Sequence, residues 1–72
     1  MRIPISDIII NPGRRGIRPE QVKKLADSIA VVGLLNPITL DQADTLIAGL
    51  HRLEAAKLLG WTEIEYTVSG VE

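Results

Sequence analysis

The chain is cut into short pieces by residues that cannot continue regular structure. Asn11-Pro12-Gly13, Gly33, Asn36-Pro37, Gly49 and Gly60 recur across its 72 residues. Proline lacks the N–H that a helix or a ladder needs, and glycine alone enters positive φ without steric penalty. Between these breaks there is room for single strands, a hairpin and short helices. No repeat, low-complexity tract or linker is visible, so the chain reads as one domain over residues 1–72. That length is near the lower limit for a self-sufficient core, and support from a partner or from flanking sequence fits such a size.

The pieces have distinct periodicities. Ile3, Ile5 and the run Ile8, Ile9, Ile10 are strand-like and stop at Asn11-Pro12-Gly13. A loop through Arg14, Arg15 and Gly16 leads to Pro19, suited to a first helical position, with Glu20 at the positive end of the helix dipole. Val22, Leu25, Ala26, Ile29 and Val32 then recur at the spacing of one buried helical stripe, and Gly33 fits a left-handed cap. Ile38 to Leu40 and Thr45 to Ala48 read as a hairpin about the polar turn Asp41 to Asp44. From Leu50 to Leu59 the pattern is helical, with Leu53, Ala56 and Leu59 inward and Leu50, Glu54, Lys57 and Trp61 sharing another face. Gly60 caps it, and Glu63 to Val68 alternate as a last strand. The order is β-α-β-β-α-β, which predicts an α+β fold with two helices packed on a mixed sheet.

Composition removes several chemistries. The chain has no cysteine and one histidine, which excludes disulfides, thiolate sites and a cysteine nucleophile, and leaves a histidine-based zinc site incomplete. One Trp, one Tyr and no Phe make a core of aliphatic residues and few platforms for stacking bases. No apolar run approaches the roughly 20 residues of a membrane-spanning helix, and no signal pattern opens the chain, so no membrane partner and a cytoplasmic location are expected. The net charge of −1 hides an asymmetry. Residues 1–36 carry +3 and residues 37–72 carry −4, with five of the eight basic residues between Arg14 and Lys24. Without a spare recognition helix, any DNA binding would be weak, non-specific and salt-sensitive, resting on Arg14, Arg15, Arg18 and nearby lysines.

The chemistry concentrates where a strand ends in Gly49 and opens directly into a helix. Glycine lets backbone approach a ligand closely, and the first amides of a helix favour an anion. Arg52 adds a bidentate guanidinium, and His51 a donor or a partly buried residue bonded to backbone. Asp7, Asp41, Asp44, Glu63 and Glu65 are carboxylates that could hold Mg²⁺, though their spacing shows no two-metal pattern. Trp61 is expected as a cap over the core.

Two stretches, NPGRRGIRPEQVKKLADSIAVVGLLNPITL and LIAGLHRLEAAKLLGW, resemble the first and second sequence boxes of the ParB family. Gly49-Leu50-His51-Arg52 is similar to the Gly-x-x-Arg signature of the wider ParB/sulfiredoxin superfamily. The resemblance implies a ParB-like N-terminal domain that binds a nucleotide, CTP or a related triphosphate with Mg²⁺, and supports DNA partition or DNA-associated regulation. By the same resemblance Gly49 and Arg52 would hold phosphates with Leu50 and His51 at the helix start. The turn Gly33-Leu34-Leu35-Asn36-Pro37 would lie against the base, Ser28 would contribute a hydroxyl, and Arg14 and Arg15 would serve phosphate or partner contacts.

Departures from the family pattern restrict this. Leu50 stands where the sulfiredoxin branch has its cysteine, so sulfinic-acid repair has no nucleophile. Leu50 and His51 also replace an acidic and a basic residue common in ParB proteins. A third box and a helix-turn-helix domain would be expected after Glu72. The alternatives are a phosphotransferase or nuclease on the same scaffold, needing a carboxylate such as Asp7 near the phosphate, or a degenerate module for self-association or contact with a partner protein.

Overall fold

A computed structural model describes residues 1–11, 16–33 and 36–69. Strands β1 (Arg2–Pro4), β2 (Ile38–Leu40), β3 (Leu46–Ala48) and β4 (Glu63–Val68) form one sheet in the order β1-β4-β2-β3. β4, with the longest alternation, lies inside: it runs antiparallel to β1 (Ile3 opposite Ile64) and parallel to β2 (Ile38 opposite Tyr66). β2 and β3 pair antiparallel, with an irregularity between Thr39 and Leu40. The turn joining them is held by Asp41, whose Oδ1 accepts the N–H groups of Ala43 at 2.8 Å and Thr45 at 2.9 Å. Asp44 takes φ +62°, a left-handed position that aspartate tolerates.

The isoleucine-rich start is not one strand. β1 ends at Pro4, Ile5–Asp7 turn as one 3₁₀ unit, and Ile9 then makes a single parallel bridge to Thr45 beside β3. The segment thus passes from one sheet edge to the other. Ser6 and Asp7 favour turns, while Ile5, Ile8 and Ile10 pack on the core and Ile9 stays outside. Alternation over a short run cannot distinguish a continued strand from such a crossing.

Helix α1 (Pro19–Val32) starts on Pro19 as expected and buries Val22, Ala26 and Ile29. Val32, expected in that stripe, is 56% exposed. Helix α2 (Leu50–Leu58) is shorter by five residues, about 8 Å at 1.5 Å per residue, which leaves part of α1 without a facing helix. α2 ends in a Schellman arrangement, with Trp61 N–H on the Ala56 carbonyl and Gly60 N–H on that of Lys57, each 3.0 Å. Gly33 closes α1 differently from expectation. Its φ of +82° demands glycine, but ψ 177° lies outside the left-handed helical region, and its N–H reaches the Ile29 carbonyl at 2.8 Å.

Two apolar clusters define the layers. Ile3, Ile38, Leu40, Leu46 and Ile64 from the sheet meet Leu50, Leu53 and Ala56 of α2. Val22, Ala26 and Ile29 of α1 meet Ala55 of α2. α2 therefore lies between the sheet and α1, giving an α+β fold in which the second helix in the chain carries the first. Leu50, read as facing away with Glu54 and Lys57, belongs to the core because α2 is covered on two sides.

Candidate functional site

Gly49 sits at the N-cap of α2 with φ 102° and ψ 27°, and its carbonyl accepts the Leu53 N–H at 2.9 Å. The amides of Leu50, His51 and Arg52 precede that bond and have no carbonyl one turn back to accept them. They form the positive end of the helix dipole. The glycine has a second reason besides the one expected from sequence. A Cβ there would lie 2.8 Å from Ile38 Cγ2 and 3.2 Å from Ile38 Cα. Its missing side chain therefore admits β2 as closely as it could admit a ligand.

Arg52 lines a cleft of about 150 Å³ together with Leu25, Ser28, Ile29 and Val32 of α1, and Gly33 and Asn36 of the turn that follows. Four residues singled out from the sequence, Ser28, Gly33, Asn36 and Arg52, are thus brought to one place from three segments. Leu25, Ile29 and Val32 are cleft residues that the sequence reading assigned to the core. Their spacing carries no signal that separates cleft from core, because the later turns of α1 meet Arg52 only through the packing of the two helices. Pro37 is exposed beside Asn36 without lining the cleft. Arg14, Arg15, Leu34 and Leu35 lie outside the described residues.

Two members of the signature differ from expectation. The Leu50 side chain is in the core, 7% exposed, so only its backbone faces the helix start. His51 Nε2 accepts the backbone N–H of Arg18 at 3.3 Å. Of the two roles open from sequence, this geometry is the backbone-bonded one.

The carboxylates are dispersed. Asp7 lies in the 3₁₀ turn and Asp41 is engaged in its own turn, while Glu63 and Glu65 stand on the exposed face of β4. Glu65 pairs with the terminal ammonium at 3.1 Å and Arg2 Nε at 3.2 Å. Hydrogen bonds from the terminal ammonium first, and Arg2 second, hold its carboxyl below the usual range. Among the described residues no group of three or more His, Cys, Asp or Glu can hold a metal ion, and no carboxylate lines the Arg52 cleft. Among the same residues no helix is long and apolar enough to cross a membrane. Trp61, expected to cap the core, is 36% exposed and lines a second depression with Arg2, Gly60 and Glu63, which meets the Arg52 cleft at Gly33.

Comparison with known proteins places this geometry. The chromosome-partitioning protein Spo0J of Thermus thermophilus is 38% identical over 73 aligned positions, covering 94% of this chain and 27% of its own length. The chain thus spans about a quarter of that curated relative. Caulobacter crescentus ParB complexed with CTP-γ-S matches the whole chain and 44% of its own with a TM-score of 0.82 at 28% identity. The same protein complexed to the centromeric parS site matches with 0.83. Arabidopsis thaliana sulfiredoxin matches 94% of this chain and 83% of its own, with a TM-score of 0.82 at 32% identity. The sequence model described as the ParB N-terminal domain spans residues 1–72, and with the strand, glycine and helix junction leading to Arg52 it shows that the chain belongs to the ParB N-terminal domain family, within the ParB/sulfiredoxin superfamily.

Proposed function

We propose that this domain binds a nucleoside triphosphate, CTP in the first instance, and serves chromosome partition or related DNA-associated regulation as part of a larger assembly. The observation that carries the reading is the convergence of Ser28, Gly33, Asn36 and Arg52 on one cleft. A volume near 150 Å³ suits phosphate groups and falls short of the roughly 300 Å³ and more of sites that enclose whole ligands. The base would therefore lie outside it, along the turn after α1. Arg52 offers a planar fork to phosphate oxygens, and the Ser28 hydroxyl and Asn36 amide offer neutral donors. With no carboxylate lining the cleft, a Mg²⁺ would be held by the triphosphate oxygens and water, a mode this ion commonly uses.

The complexes of Caulobacter ParB with CTP-γ-S and parS support nucleotide and DNA association for the family to which the chain belongs. In this domain both helices are engaged in packing, so contact with DNA by residues such as Arg18, Lys23 and Lys24 would be weak and lost with added salt.

Titration of the 15N-labelled domain with CTP, ATP and GTP, each with and without Mg²⁺, tests the reading. Shifts centred on Ser28, Gly33, Asn36 and residues 49–53 are expected, strongest for CTP. Absence of shifts at millimolar nucleotide overturns it and leaves a module for protein contact. Turnover of nucleotide or DNA in the same samples would favour the phosphotransferase or nuclease alternative.

A further inference from the structure

The histidine of the signature is engaged away from the cleft. The Arg18 N–H donates to His51 Nε2 over 3.3 Å, between residues 33 positions apart. Acceptance at Nε2 requires that nitrogen to be the unprotonated one, which leaves Nδ1 as the ring's proton carrier in this contact. Arg18 is the N-cap of α1, extended at φ −110° and ψ 109°, and its side chain makes no capping bond. Gln21 and Val22 donate to its carbonyl, each at 3.0 Å, and Pro19 has no N–H to satisfy. In a capping box the N-cap N–H is satisfied by a side chain of the same helix. Here the acceptor comes from α2, so a local cap has become a tie between two helices.

We infer that His51 is a positioning residue for the cleft, its Nε2 contact with the Arg18 N–H pinning the first turn of α2 to the start of α1 so that Arg52 is held against the later turns of α1. The inference rests on the nucleotide reading of that cleft. Consecutive residues leave a helix about 100° apart, and these two reach opposite parts of α1. His51 meets its N-cap, whereas Arg52 shares the cleft with Ser28, Ile29 and Val32. The helices also share a cluster that includes the small residues Ala26 and Ala55. Val22 and Ile29 of α1 are buried in the same cluster and Leu25 and Leu59 pack against it, and the His51 tie adds a separate polar point at the N-cap of α1. Ser28 and Arg52 come from different helices, so a fixed interhelical geometry keeps them placed before ligand arrives and lowers the ordering needed on binding. Phosphate contact then falls to Arg52 and the α2 amides, with His51 Nε2 committed to Arg18.

A long-range 1H–15N spectrum of the imidazole, combined with amide exchange and CTP titration, tests this directly. The expected result is an unprotonated Nε2, a proton on Nδ1, and an Arg18 amide protected from exchange, all retained when CTP is added. His51→Ala should lose that protection and raise the Kd for CTP about five-fold, the scale of one hydrogen bond. His51→Gln, whose amide oxygen can accept the same N–H, should recover both. A protonated Nε2, an unprotected Arg18 amide, or a Gln variant no better than Ala overturns the inference. If the Ala variant does not fold, the parent tautomer and the Gln variant still decide. Arg52→Ala separates the two readings: parent-like CTP binding by that variant defeats the cleft reading while leaving the Arg18 tie measurable.

Discussion

Gly49→Ala gives the sharpest test of how the Gly-x-x-Arg turn is built. An alanine at φ +102° enters left-handed backbone, which costs about 1–2 kcal/mol. Its Cβ would stand 2.8, 3.1 and 3.2 Å from Ile38 Cγ2, Cβ and Cα. Ile38 is fully buried in β2, between β3 and β4, and cannot swing aside. Such overpacking adds about 1–3 kcal/mol. The combined loss, about 2–5 kcal/mol, is a large fraction of the roughly 4–11 kcal/mol expected for a chain of this size. Gly60 supplies the control, because its φ of +81° is similar but a Cβ there meets nothing within 4 Å. Gly60→Ala should therefore lose only the conformational part. Urea unfolding followed by far-UV circular dichroism reads both, with an unchanged slope showing that the midpoint shift is a stability change. Gly49→Ala should also lower Tm by at least about 10 °C. Losses for the two variants equal to within about 0.5 kcal/mol would refute the close approach to Ile38 as the reason for glycine.

Other consequences follow from the same geometry. Arg52→Ala should weaken CTP binding by about 10- to 100-fold, the range of a charge-assisted contact, with little change in urea midpoint; calorimetric titration checks the first and unfolding the second. Asp41→Ala should lower stability by about 1–3 kcal/mol through loss of the acceptor for Ala43 and Thr45, and the Thr45 amide should exchange faster. Glu65 has a lowered carboxyl pKa in the folded state, so its pairing with the terminal ammonium and Arg2 contributes above the ordinary carboxylate pKa and is lost as pH falls through the lowered value. Glu65→Gln should flatten that acid segment of the stability profile slightly, since the pair is exposed; an unchanged profile would discount the pairing.

Local features of this protein were legible because their causes lie within a few residues. Pro19 opens α1, Gly60 closes α2, and both the Asp41 to Asp44 turn and the β4 alternation lie where short-range chemistry puts them. The family boxes likewise marked Ser28, Gly33, Asn36 and Arg52, although nothing in their spacing shows that they line one cleft. Tertiary structure alone decided what depends on distant partners. Ile9 leaves the first strand because Thr45 beside β3 offers it a bridge across the sheet, Leu50 is buried because α2 is covered on two sides, and Val32 is open because it borders the cleft beside Arg52 at the start of α2. His51 turns to Arg18 for the same reason: a helix start can be read from sequence, but the acceptor for its N-cap N–H came from another helix, and only packing brings the two together.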